Sequence, residues 1–397
     1  MLQTLSSLFA RVRFRYVALF FLAVNAAASI AKFYARGAAA ASAPDGSPVN
    51  NYLIYKYQFY NLLNGIDIYA LHPTQHYDLY RYSPVFALCF APFAVLPDAA
   101  GCLLWNLFNC ALLLFAIVTA SEQLHRRGVV LTMRTTAVTW SAIVLLETIT
   151  ATQNTQSNTL IAALMLLTWV LLERKLGFWA ALCTVAAGLT KLYGFAAAAL
   201  FLMYPDRVRN FAYGVFWLAV GVFAPLAVVS WEYFVRIHST WYASVTAYST
   251  QVQLSVMGAI QGVTGKEVEY RPIQLAGMAA TVLPLLRIHR YGAARLGLLL
   301  TASLLMFVVL FNQMAESATF VIALVGVGAW WCAGSGEKRT HAPLDILLLV
   351  LVLVFASLSP TDLFPRALRT AFVEPYRLKA VAVFLVWLKV QWEIWNE

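Results

Sequence analysis

The chain has 397 residues, of which 12% are charged and 61% hydrophobic, and it carries a formal net charge of +10. A soluble globular protein has about a quarter charged residues, so the composition excludes that class and predicts an all-α integral membrane protein. The lysines and arginines lie in short clusters between apolar runs and form no continuous basic stripe, which argues against a nucleic-acid partner.

Apolar segments recur along the whole chain, and a membrane helix needs about 20 such residues. The run 177–203 is too long for one span and is broken at Lys191, so we interpret it as two short helices; a single broken helix is the alternative. We predict one polytopic domain over residues 1–397, with about twelve transmembrane helices. The predicted spans are 16–33, 103–121, 132–148, 158–172, 177–189, 192–203, 210–230, 274–287, 292–311, 317–332, 342–357 and 377–393.

Residues 34–102 are predicted to form a long first loop on the outer side of the membrane. Apolar and aromatic residues within 50–65 share one helical face, which indicates an amphipathic helix at the membrane surface. The segment 83–97 is apolar, but its length of about 15 residues and its three prolines disfavour a spanning helix. We therefore expect this second segment to be re-entrant or interfacial.

The basic clusters give the predicted orientation, because loops rich in lysine and arginine stay on the cytoplasmic side. With both termini cytoplasmic, the longer, amide-rich and aromatic loops all lie on the outer face, and we expect the functional site there. The basic residues of the predicted inner loops are Arg126, Arg127, Arg134, Arg174, Lys175, Arg207, Arg209, Arg287, Arg290, Arg295, Lys338 and Arg339.

Titratable residues of both signs crowd together late in the first outer loop. Asp78 is a candidate general base, and His76 or Arg81 is a candidate phosphate partner, since a base needs negative charge and a phosphate needs donors. An ordinary salt-bridged loop explains the same residues equally well. Asp67, earlier in this loop, is a further candidate base, and Tyr82 is a candidate substrate contact.

One acid and several amides lie at the mouth of two predicted spans, between residues 147 and 158. Glu147 is a candidate base. Amides form several directional hydrogen bonds without charge, as sugar hydroxyls require, so Gln153, Asn154 and Asn158 are candidate substrate contacts. Helix capping explains Asn158 as well.

Two further charged residues stand out against apolar surroundings. A cation at the depth of Lys191 is costly and indicates function, with a lipid phosphate as the expected partner; a side chain that snorkels to the interface is the alternative. Glu316 follows Asn312 and Gln313 between two predicted spans. It either acts as a base or caps the following helix, and the two amides before it are candidate substrate contacts.

Several short motifs, in a fixed order between residues 50 and 205, resemble glycosyltransferase family 87 of the GT-C superfamily. The resemblance implies a GT-C fold, with a long first outer loop, interface helices at 50–65 and 84–97, and an outward-facing cavity. The motifs are Leu62-Leu63-Asn64-Gly65, Tyr82-Ser83-Pro84-Val85-Phe86-Ala87-Leu88, Pro92-Phe93-Ala94-Val95-Leu96-Pro97, Leu104-Trp105-Asn106, Gln153-Asn154 and Leu189-Thr190-Lys191-Leu192-Tyr193.

This chain departs from the family pattern at one position. Members usually carry an aspartate near the start of the first outer loop, where this chain has Asn51. An amide cannot accept a proton from an acceptor hydroxyl. The base is therefore expected among Asp67, Asp78, Glu147 and Glu316, with Asp78 and Glu316 favoured, unless activity has been lost; Asn51 remains a candidate substrate contact.

The resemblance implies a membrane enzyme that transfers a mannose-like hexose from a polyprenyl-phosphate donor to a lipid, glycan or protein acceptor. We expect single displacement with inversion on the outer face of a bacterial inner (plasma) membrane, with no cofactor and no required metal. The alternative is a transporter or lipid flippase, in which ionisable residues line a translocation path. No self-similarity relates the two halves, and the polar residues cluster on one face, which favours the enzyme.

Overall fold

The computed structural model describes residues 14–35, 48–246, 253–285, 294–334 and 341–396. Every regular element in these ranges is a helix, which confirms the all-α class and is compatible with a helical membrane protein. The α-helices are α1 Phe14–Tyr34, α2 Asn50–Leu63, α3 Pro84–Cys89, α4 Ala91–Ala94, α5 Asp98–Arg126, α6 Met133–Gln153, α7 Asn158–Glu173, α8 Gly177–Thr190, α9 Arg207–Phe223, α10 Trp231–Thr246, α11 Val256–Thr264, α12 Tyr270–Val282, α13 Ala294–Leu310, α14 Phe320–Ala333, α15 Pro343–Val352, α16 Arg366–Leu368 and α17 Leu378–Asn396. The 3₁₀ helices occupy Leu192–Met203, Ala224–Ala227 and Ser317–Thr319, and π-helical turns occupy Leu353–Leu358 and Arg369–Val373.

A helix lies at each predicted span in the described part of the chain. By length and composition, three of the described helices can cross a membrane: Phe14–Tyr34, Asp98–Arg126 and Arg207–Ala227. The shorter apolar helices are Asn158–Glu173, Gly177–Thr190, Leu192–Met203, Ala294–Leu310, Ser317–Ala333 and Pro343–Leu358. The number of twelve spans, and their union in one domain, stay predictions.

The predicted break at Lys191 is confirmed. Helix α8 ends at Thr190, Lys191 is extended with φ −144° and ψ 132°, and a 3₁₀ helix continues to Met203. The chain folds back closely at this point, because a Cβ on Gly194 would lie 2.4 Å from the backbone of Ala187. Only glycine permits that approach.

The first outer loop contains helices near both predicted positions, with one difference at the second. Helix α2 ends as predicted near Gly65, which has φ 68°. The single helix predicted over 84–97 is instead two short helices, α3 and α4, and Pro92 lies in the first turn of α4. Helix α2 is also more enclosed than a surface helix, since Tyr52 and Tyr55 have no exposed side-chain surface.

Helices α10 and α11 fall between the predicted spans 210–230 and 274–287, in a loop predicted to lie on the outer face. Tyr233, Phe234 and Ile237 are the buried residues of α10, at the spacing of one helical face. The Tyr233 hydroxyl donates a hydrogen bond to the carbonyl of Ile66, so α10 packs on the first outer loop. The sequence contains this helical periodicity, but the polar residues between the apolar ones made the segment resemble a loop.

Ion pairs join two of the predicted inner loops at one end of the helix bundle. Arg127 pairs with Glu173 at 3.0 Å, and Arg174 pairs with Glu122 at 2.9 Å. These contacts join the ends of α5 and α7, in keeping with one common side for both loops. The predicted inner-loop residues Arg287, Arg290, Lys338 and Arg339 lie outside the described residues.

The orientation can be tested by labelling single cysteines from either side of the membrane. In a background without the five native cysteines, Gly128→Cys and Asp362→Cys should react from opposite sides, because both positions are exposed and belong to loops of opposite predicted location. An impermeant maleimide on intact cells should label only position 362. Labelling of both positions from outside would overturn the predicted topology.

Candidate functional site

At the other end of the bundle, the break after α8 directs Lys191 toward the loop between α6 and α7. The Lys191 ammonium donates to Gln156 Oε1 at 3.2 Å and to Asn158 Oδ1 at 3.0 Å. Asn158 Oδ1 also accepts from the Tyr193 hydroxyl at 2.9 Å. Both acceptors are neutral amide oxygens, so neither cancels the positive charge of Lys191.

The Gln156 amide connects this cation to a carboxylate. While Gln156 Oε1 accepts from Lys191, its Nε2 donates to Glu316 Oε2 at 3.5 Å. The Glu316 side chain is exposed, whereas Gln156 is buried. A lysine and an accessible carboxylate therefore face each other across the width of one amide group.

An unusual backbone conformation presents Gln156 in this position. Thr155 adopts φ 49°, which is rare for a β-branched residue, and the Trp105 indole supports the turn by donating to its carbonyl at 3.3 Å. Strained backbone of this kind often occurs where a site must be held in place.

Tyrosine side chains from the first outer loop form one side of the cluster around Lys191. The Tyr82 ring lies 5.5 Å from the Lys191 ammonium, and its hydroxyl is 2.7 Å from that of Tyr55. Ser83 ties this loop to the end of α8, since its hydroxyl donates to the carbonyl of Leu189 at 2.5 Å. A cation over an aromatic face is further stabilised without losing its charge.

An apolar groove of about 710 Å³ adjoins the cluster. Leu189 and Thr190, immediately before Lys191, contribute to its lining, and so does Phe86, which stacks on Tyr82 at 4.7 Å. The rest of the lining is mainly aliphatic and aromatic, including Phe93, Trp105, Leu164, Leu182, Val220 and Trp217. A long hydrocarbon chain in this groove would place its polar end near Lys191.

Four other predicted contacts lie nearby. Asn51 donates to the carbonyl of Asn154 at 2.8 Å, two residues before Gln156. Arg81 is exposed, and its guanidinium lies 3.9 Å from the Met314 sulfur, in the loop that carries Glu316. Gln153 is exposed at the end of α6.

The loop before Glu316 is held by one side-chain amide and by a backbone bond from another segment. Asn312 Oδ1 accepts from the backbone of Met314 at 3.0 Å, and the carbonyl of Gln313 accepts from Gln253 at 2.9 Å. The side-chain oxygen of Gln313 is buried without a partner among the described residues.

The acids and the histidine of the first outer loop bond within that loop. Asp67 Oδ1 accepts from the backbone of Tyr69 at 2.9 Å, and Asp78 Oδ1 accepts from that of Leu79 at 2.7 Å. His76 is fully buried, and its Nε2 is 2.6 Å from Gln58 Nε2. Burial lowers the pKa of His76, so its imidazole is neutral at pH 7 and offers a phosphate no positive charge.

Glu147 has a partner, Lys379, that was not among the predicted site residues. Both of its carboxylate oxygens accept from the Lys379 ammonium at 2.8 Å, and Lys379 also donates to Ser317 Oγ at 2.9 Å. Lys379 interrupts the start of an apolar run, which is the same signal that identified Lys191. Within the described ranges, no three His, Cys, Asp or Glu side chains lie close enough to hold a metal ion.

Comparison with protein families gives one informative result. A family model described as glycosyltransferase family 87 matches residues 80–311, more than half of the chain. The matched range includes Tyr82, Gln156 and Lys191, and it ends shortly before Glu316. A search of curated proteins gives no match.

Proposed function

The chain belongs to glycosyltransferase family 87 and is a membrane glycosyltransferase; from this premise we propose that it uses a polyprenyl-phosphate sugar as donor. The proposed transfer moves a mannose-like hexose to a lipid, glycan or protein acceptor on the outer face of a bacterial inner membrane. Both termini are then cytoplasmic. Membership in an enzyme family favours catalysis over the transporter alternative.

One observation carries the choice of donor: an apolar groove adjoins a lysine whose ligands are neutral. The groove supplies a hydrophobic surface for a prenyl chain, at about 25 cal/mol per Å² of apolar area buried. Lys191 supplies the charge that a phosphate needs at the point where the groove meets the polar cluster. A nucleotide-sugar donor would give the groove no role.

The proposed reaction is a single displacement at the anomeric carbon. The acceptor hydroxyl forms a new bond to this carbon as the bond to the phosphate oxygen breaks. The hydroxyl proton passes to a carboxylate, and the prenyl phosphate leaves with the bonding electron pair. Lys191 stabilises the negative charge on the leaving phosphate. Asn158, which also accepts from the Tyr193 hydroxyl, holds the lysine in place.

We assign the base to Glu316. An inverting displacement needs the base and the leaving group on opposite sides of the anomeric carbon. Glu316 is accessible and faces Lys191 across the Gln156 amide. The carboxylates of Asp67 and Asp78 bond within the first outer loop, and both oxygens of Glu147 are bonded to a buried lysine.

Blocking the groove tests the donor. Ala186 lines the groove, and Ala186→Trp should raise KM for a long-chain prenyl-phosphate sugar by roughly tenfold, because part of the chain loses its apolar contacts. A donor with a short prenyl chain should be nearly unaffected. Steady-state transfer assays with both donors measure the difference.

The matched control is Val215→Trp on α9, because Val215 is 68% exposed and does not line the groove. This variant should behave like the wild type with both donors. Equal effects of Ala186→Trp on the long and short donors would contradict a prenyl chain in the groove.

A further inference from the structure

A buried ion pair lies directly behind the loop that carries Glu316. Glu147 on α6 is fully buried, and Lys379 on α17 is 3% exposed. The lysine directs hydrogen bonds to both carboxylate oxygens and to the Ser317 hydroxyl, so its three ammonium donors are used. Its ammonium also lies 4.9 Å from the centre of the Phe320 ring.

A contribution to folding stability is a weak explanation for the presence of this buried ion pair. The cost of removing two charges from water often exceeds their attraction, and apolar replacements of similar volume are often neutral or stabilising. Buried polar groups are better explained where they fix one geometry among several. This pair joins three segments that are distant in sequence: α6, the start of α17 and the turn at Ser317.

The turn at Ser317 is the segment that carries the proposed base. Glu316 directly precedes Ser317, and its backbone N–H donates to Thr319 Oγ1 at 3.2 Å. On the other side, the carbonyl of Ala315 accepts from the backbone of Leu254 at 3.0 Å. Backbone bonds therefore fix the residues around Glu316, while Lys379 supplies the side-chain anchor from inside the bundle.

We propose that Lys379, held by Glu147, is a positioning residue that acts through Ser317 to place the Glu316 carboxylate. This inference rests on the proposed function, because it takes Glu316 as the base. It also gives Glu147 a role that suits its burial, since a carboxylate with both oxygens bonded and no exposed surface cannot reach an acceptor hydroxyl.

The experiment uses the full-length protein in liposomes with two kinds of variant. Ser317→Ala breaks the link to the loop and leaves the ion pair intact. The double variant Glu147→Gln, Lys379→Met removes both charges together, so that no unpaired charge stays buried. Each should lower kcat by roughly ten- to a hundred-fold, the size expected for a misplaced catalytic group, with KM for the donor unchanged.

The control is a half-buried ion pair that involves the same helix. Arg295 on α13 and Glu393 near the other end of α17 pair at 2.6 Å, about 20 Å along α17 from Lys379. Arg295→Gln, Glu393→Gln should change thermal stability without a selective loss of kcat per folded molecule. A purely structural role for Lys379 would give the same pattern as this control.

A double-mutant cycle separates this inference from the proposed function. In a Glu316→Gln background, the rate is measured by single-turnover transfer. Neither Ser317→Ala nor the double variant Glu147→Gln, Lys379→Met should lower this rate further. An equal loss in both backgrounds, or no loss in the wild-type background, overturns the positioning role and leaves the base assignment intact. Full activity of Glu316→Gln by itself overturns the base and this inference with it. If the double variant Glu147→Gln, Lys379→Met does not fold, the result for Ser317→Ala alone decides whether Lys379 positions Glu316.

Discussion

Glu316→Gln should lower kcat by about a hundred- to ten-thousand-fold, the usual cost of removing a general base. The glutamine side chain has nearly the same shape, so the hydrogen bond to Gln156 can persist and the fold should be kept. KM for the donor should change little, because Lys191 and the groove are untouched. Initial rates of sugar transfer at several donor concentrations give both constants.

Asp78→Asn is the matched control, since Asp78 is also an exposed carboxylate and the sequence favoured it equally. Its oxygen accepts from the next residue's backbone, and an asparagine can keep that bond. We expect activity close to that of the wild type. A large loss in Asp78→Asn with an active Glu316→Gln would move the base to the first outer loop.

Lys191→Ala should weaken donor binding by roughly ten- to a hundred-fold, because hydrogen bonds to charged groups contribute about 1.5–3 kcal/mol. Loss of charge stabilisation on the leaving phosphate should also lower kcat. Lys191→Arg restores the charge with a bulkier, planar donor and should recover part of the activity. Binding of a prenyl-phosphate analogue to the purified protein measures the first effect independently of catalysis.

Lys56→Ala serves as the control for a lysine in the outer region. Lys56 pairs with Asp98 at 2.5 Å, and its charge is therefore already matched by a carboxylate. Donor affinity should stay near the wild-type value in this variant. Unchanged affinity in Lys191→Ala would reduce Lys191 to a residue that merely snorkels to the membrane surface.

Much of the fold follows from hydropathy alone. Apolar length and polar breaks predicted a helix at every span in the described ranges, and the polar interruption at Lys191 predicted where α8 ends. Helices α10 and α11 were not predicted, because polar residues interrupt the apolar face of α10 and the nine residues of α11 are too few for a span. The division of 84–97 into α3 and α4 depends on how Pro92 starts a new turn, which length and apolarity do not reveal.

The site depends on contacts that no local pattern contains. Lys191 stood out because a cation in an apolar run is costly. Gln156 did not stand out from its neighbouring amides, and its role as a bridge appears only when α8 and the loop before Ser317 come together. Glu147 and Lys379 are 232 positions apart, so their pairing requires the tertiary structure.

The most direct test of the proposed function is transfer by the purified protein in liposomes, with a radiolabelled hexose on either a prenyl phosphate or a nucleotide. A membrane extract depleted of endogenous donors supplies the acceptor. We expect labelled product from the prenyl-phosphate donor, strongly reduced product in Glu316→Gln and Lys191→Ala, and none from the nucleotide donor. Transfer from the nucleotide donor, with none from the prenyl-phosphate donor, would contradict the proposed function.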